Sequence, residues 1–85
     1  METGYYIESE GDVGVVHGPT GRTQTTVHWL EEYGYIHDPG GQTPYVMFLG
    51  RVYGPGHVDT GFYTMARGGR TYLYGPSRTP PWLSG

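Results

Sequence analysis

The stretch Phe62-Tyr63-Thr64-Met65-Ala66-Arg67-Gly68-Gly69-Arg70-Thr71-Tyr72-Leu73-Tyr74 decides the fold class. Two runs rich in aromatic and β-branched residues flank Gly68-Gly69. Those glycines supply the positive φ that both central positions of a two-residue hairpin turn require. The turn fixes the register. Arg67 faces Arg70, Met65 faces Tyr72 and Tyr63 faces Tyr74 on one side. Thr64 faces Leu73 and Ala66 faces Thr71 on the other.

A second hairpin is expected over residues 12–28. Val13-Gly14-Val15-Val16-His17 runs into the four-residue loop Gly18-Pro19-Thr20-Gly21, and Arg22 to His28 returns. Val and Thr suit a pleated surface. The segment Tyr45 to Tyr53 reads as a central strand, apolar at both parities from 45 to 49, as when both faces are covered. Pro44 opens it, and Gly54-Pro55 closes it. Asp38-Pro39-Gly40-Gly41 marks a turn before it. Residues 29–34 fit strand or irregular structure better than a helical turn stopped at Gly34.

Three segments echo one another: Val16-His17-Gly18-Pro19, Val52-Tyr53-Gly54-Pro55 and Leu73-Tyr74-Gly75-Pro76. Each reads as a strand exit, where Gly permits a bend and Pro cannot pair in a ladder. The spacings are unequal, so this is no solenoid repeat. These signals together predict an all-β domain of five to seven short antiparallel strands, an SH3-like barrel or a compact sandwich with extended termini. Residues 1–76 form the domain, and residues 77–85 form an extended Pro-rich tail that ends in Pro80-Pro81-Trp82-Leu83.

Composition limits what such a domain can do. The 85 residues include 16 Gly, 7 Pro and 9 Tyr, with aromatics at 15% and charged residues at 15%. Large aliphatics are scarce, but an aromatic-rich, charge-poor chain is the reverse of a disordered one. The expectation is an ordered domain with a thin core. No Cys is present, which excludes disulfides, thiolate catalysis and Cys-type zinc sites. No Lys is present, which excludes Schiff-base chemistry. The start Met1-Glu2-Thr3-Gly4 lacks the basic and apolar regions of a signal peptide. The longest apolar run, Tyr45 to Leu49, is far short of the ~20 residues that span a bilayer. Synthesis in the cytoplasm and no membrane partner are expected.

The net charge of −3 weighs against nucleic acid as a partner. The charge is sorted along the chain. Residues 1–38 carry Glu2, Glu8, Glu10, Asp12, Glu31, Glu32 and Asp38 against Arg22. Residues 39–85 carry Arg51, Arg67, Arg70 and Arg78 against Asp59. Such a two-signed chain suits contact with copies of itself.

Candidate contact residues follow. Arg67 and Arg70, opposite each other at a turn, could grip an acidic or phosphate group. Tyr63, Met65, Tyr72 and Tyr74 share one face, of a composition enriched at interfaces. Pro80, Pro81, Trp82 and Leu83 form a tail that either docks on a neighbour or packs over an open barrel end. His17, His28, His37 and His57 show no metal-site spacing. A glycosidase-like acid pair could be drawn from Glu31, Glu32 and Asp59, but adjacent Glu residues normally mark a solvated face. No catalytic residue, cofactor or metal is expected.

In general character, a short, catalytically empty β-protein without Lys or Asn, of the kind a GC-rich genome encodes, resembles the accessory virion proteins of tailed bacteriophages. The resemblance implies capsid decoration or head–tail joining, with copies of the chain itself or a larger lattice protein as partners. The alternative expectation is a monomeric protein-binding module or host-factor inhibitor.

Overall fold

The computed structural model describes residues 1–30 and 33–83. Eight antiparallel strands run up and down in chain order: β1 (Glu2–Glu10), β2 (Val13–Gly18), β3 (Gly21–Leu30), β4 (Tyr33–Asp38), β5 (Gly41–Phe48), β6 (Arg51–Tyr53), β7 (Asp59–Arg67) and β8 (Arg70–Tyr74). Strand β8 pairs with β1 and closes the barrel. Closure removes the sheet edges that a sandwich would leave unpaired. The all-β class holds, with eight strands in place of five to seven.

The hairpin at Gly68-Gly69 has the register that its turn dictates, from Arg67↔Arg70 to Tyr63↔Tyr74. Both glycines have positive φ, 61° and 84°. Elsewhere the structure departs from expectation. The β2–β3 hairpin is tighter, with Gly18 paired to Gly21. The stretch Tyr45 to Tyr53 is not one strand. A turn at Leu49-Gly50 splits it, with φ of 50° and 79° there. Its apolar residues at both parities arise because Met47 points into the barrel while Val46 and Phe48 lie on the outer wall. Trp29 and Leu30 end β3, and Tyr33 begins β4. The segment Tyr5-Tyr6-Ile7 belongs to β1, paired on both sides.

The echo seen in the sequence has a structural cause and a fourth member, Ile36-His37-Asp38-Pro39, masked by Asp in place of Gly. The barrel is four equivalent hairpins: β2–β3, β4–β5, β6–β7 and, across the seam, β8–β1. Each carries one register shift. Each shift is bridged by a threonine. Thr3, Thr23, Thr43 and Thr60 donate their hydroxyls to the carbonyls of Leu73, Val16, Ile36 and Val52 at 2.9, 3.0, 2.8 and 2.7 Å. Each hydroxyl also accepts the N–H two residues on, from Tyr5, Thr25, Tyr45 and Phe62. The threonine thereby satisfies backbone groups that the interrupted ladder would orphan.

The interior is stacked in layers by the same fourfold logic. Val16, Ile36, Val52 and Leu73 form one buried ring, and Ile7, Val27 and Met47 form the next. Tyr5, Tyr45 and Phe62 line the end that Trp82 and Leu83 occupy. A small eight-stranded barrel is just wide enough for side chains to fill. Few aliphatics therefore suffice, because only one residue in two faces inward.

Candidate interaction surfaces

The C-terminal segment is a plug of its own barrel. Pro81–Leu83 form one 3₁₀ turn, Pro80 and Trp82 are buried, and Leu83 packs partly against the core. The Trp82 ring meets Tyr45 at 5.7 Å and Phe62 edge-on at 5.6 Å. Gly75 makes room, since a Cβ there would lie 2.0 Å from the Phe62 ring. Residues 77–83 are thus not an extended appendage, and Trp82 is not available to dock on a neighbour. A thin core recruits the aromatic at the chain end because burying it gains more than any nearby aliphatic could.

The residues Tyr63, Met65, Tyr72 and Tyr74 lie together on the outer wall. Tyr63 and Tyr74 stack at 5.6 Å and 14°. Arg67 lies over Tyr72 at 4.8 Å, Arg70 over Tyr6 at 4.6 Å and Arg51 over Tyr63 at 5.9 Å. Tyr6 in turn stacks on His17 at 5.1 Å. Met65 stands clear, 55% exposed.

The two turn arginines diverge onto this wall rather than converging on one anion. Arg70 Nε is 3.0 Å from Glu8, and Arg67 approaches Glu2 at 4.0 Å. Barrel closure brings the acidic first strand beside the basic last hairpin, so part of the sequence's charge sorting is consumed within the chain. Arg51 likewise holds Asp59 at 2.9 Å. The Gly61 N–H and then Arg51 keep the Asp59 carboxyl below its usual range, which fits a structural acceptor. Glu31 and Glu32 lie outside the described residues.

Two histidines face each other across β3 and β4, with His28 and His37 ring centroids 4.1 Å apart. Partial desolvation, then the neighbouring His28, lower the His37 pKa, against an opposing pull from Asp38. Among the described residues, no group of three or more His, Asp or Glu side chains is placed to hold a metal ion.

The barrel end opposite the plug is a mouth that sequence reading did not single out. Trp29 folds inward over Gly14 and Gly34, where a Cβ would come within 3.2 and 2.6 Å of the indole. It covers only that half of the opening and stays 39% exposed. The other half is a hollow of about 380 Å³ lined by Trp29, Met47, Leu49, Thr64, Ala66 and Thr71. Leu49 stands at its rim, 70% exposed. The signal that could have found it was a Leu-Gly pair inside an apolar run too long for one strand.

A shallower groove of about 320 Å³ lies on the outer wall of β4 to β6. Val46 forms its floor, with Tyr33, Phe48, Tyr53 and His57 around it. Compared with known proteins, the chain matches no family model, no curated protein and no solved structure.

Proposed function

We propose that the chain is a non-enzymatic assembly protein that acts through protein–protein contacts, of the accessory kind that decorates or joins parts of a tailed-bacteriophage virion. One observation carries the reading. The chain's own side chains fill the barrel interior and one end, while aromatic and apolar groups are displayed on the opposite mouth and the outer wall. Interfaces favour such Tyr, Trp, Met and Arg surfaces. A rigid barrel without free strand edges suits repeated placement in a lattice.

Isolation from the native source followed by sedimentation tests this. The chain should co-sediment with particles at a fixed stoichiometry. Recovery wholly in the free fraction would overturn the proposal. The groove floored by Val46 favours a second reading, a monomeric binding module for an uncharged partner segment. That module would stay free of particles and pull down a single partner in its place.

A further inference from the structure

We propose that two copies of this chain associate mouth to mouth about a twofold axis, with the Trp29 side of one mouth over the hollow of the other. The proposal rests on the reading that the chain works by protein contact, and it names the partner and the surface.

The first observation is Leu49. It occupies the first central position of the β5–β6 turn at φ 50°, a conformation that suits Asn, Asp or Gly. The β7–β8 turn at the same end uses glycine at both positions. Leucine is strained there, and at 70% exposure it returns little by burial within its own barrel. Strain held at an exposed site points to use of that site.

The second observation is the hollow beside it. An indole fills the opposite end of the barrel, whereas here Trp29 covers half and leaves about 380 Å³ open. Protruding apolar groups and a matching hollow lie side by side on one face. This is what a self-complementary patch requires.

The third observation is charge. Around this mouth the turns follow barrel order. The β1–β2 turn carries Asp12 and also Glu10, which lies 3.8 Å from Arg22, while Arg51, Arg67 and Arg70 flank the β5–β6 and β7–β8 turns. Asp12 has no ion pair among the described residues. Arg67 reaches Glu2 only at 4.0 Å, with both side chains more than half exposed. A twofold axis in the plane of the mouth, passing between the β1–β2 and β7–β8 turns, sets the β1–β2 turn of one copy against the β7–β8 turn of the other. The same operation brings Trp29 on β3 over the hollow beside β6 and β7. Shape and charge are satisfied by one symmetry element. Since Arg51 and Arg70 already hold Asp59 and Glu8, charge sets the orientation and apolar burial supplies the affinity.

Sedimentation equilibrium of the full chain, at low and high salt, tests this. A reversible dimer that persists at high salt is expected. Leu49→Gly relieves the turn, so the monomer should melt no lower than the parent, while dimer dissociation should rise at least tenfold. Ala66→Glu, at an exposed position of the hollow, should do the same to the dimer and leave the barrel folded. Asp12→Arg and Arg67→Asp should each weaken the dimer, and an equimolar mixture of the two should restore it as a heterodimer. A chain that is monomeric at all concentrations, an open-ended polymer, a dimer indifferent to both hollow variants, or a charge pair that does not rescue would each overturn the proposal. A monomer that still co-sediments with particles would overturn this interface alone and leave the assembly reading standing.

Discussion

Thr3 and Leu73 are 70 residues apart in the chain, and the Thr3 hydroxyl donates to the Leu73 carbonyl at 2.9 Å. The bond has the same form as those of Thr23, Thr43 and Thr60 within covalently joined hairpins. The seam between the first and last strands is therefore built like the other three hairpins. The barrel closes because its ends carry the two halves of a motif that the chain repeats internally.

Replacing Thr60 with Val keeps the shape and removes the hydroxyl. It leaves the Val52 carbonyl and the Phe62 N–H without their partner. Urea unfolding should show a loss of about 1–3 kcal/mol, the cost of orphaned buried groups. Thr3→Val should cost a similar amount and additionally lower hydrogen-exchange protection along β1 and β8, leaving β3 to β5 protected. A neutral result at both sites would mean that the register shifts do not depend on these hydroxyls.

The hairpin around Gly68-Gly69 was legible because its turn chemistry is local and dictates pairing outward. The fourfold repeat was only half legible. Asp38 stands where the other copies have Gly, and the bridging threonines become equivalent only once the strands are paired. The inward fate of Trp82 was one of two open readings, since a Pro-Pro-Trp-Leu segment fits a neighbour's groove as well as its own barrel. The split of residues 45–53 at Leu49 was hidden because leucine is a poor turn residue. The feature that concealed the turn is the one that marks the mouth.

Trp82 supplies the cap of the core, and its Nε1 is buried without a hydrogen-bond partner among the described residues. Trp82→Ala should cost about 3–5 kcal/mol, a large share of the roughly 4–13 kcal/mol expected of a domain this size at ~0.05–0.15 kcal/mol per residue. Trp82→Phe loses some contact but removes the unsatisfied N–H, so its cost should stay below about 1.5 kcal/mol. Chemical denaturation of both variants checks this. Equal, severe losses would show that the indole nitrogen has a partner essential to the plug.

The lowered pKa of His37 has a direction that thermal melts can read. Its folded-state value lies below the ordinary 6.5, so the unfolded chain takes up the proton first. Stability should be full above about pH 6.5 and should decline as the pH falls toward the folded value. A second decline should follow below about pH 4, as the carboxyl of Asp59, also lowered in the fold, becomes protonated. His28→Gln removes the smaller of the two causes, so it should make the first decline shallower without abolishing it, and leave the second. If His28→Gln leaves the first decline unchanged, partial burial alone sets the shift.

The equivalence of the four hairpins predicts that the chain can be opened elsewhere. Gly75 N–H donates to the Met1 carbonyl at 2.9 Å, and Met1, Arg78 and Thr79 line one depression. A Gly/Ser linker long enough to cross this end of the barrel can join the C-terminus to Met1. Opening the chain between Gly68 and Gly69 then turns the β8–β1 seam into a connected hairpin and the β7–β8 hairpin into the seam. Loop-closure entropy changes little in this exchange. The new seam, however, lacks a bridging threonine of its own, because the four threonines all serve the plug end. The permutant should fold cooperatively with the parent's near-ultraviolet spectrum but with lower stability and with exchange concentrated at β7 and β8. A permutant opened instead at Pro19-Thr20 places the break beside the Thr23 bridge and should be the more stable of the two. If the order is reversed, the threonine bridges follow from closure of the barrel and do not cause it.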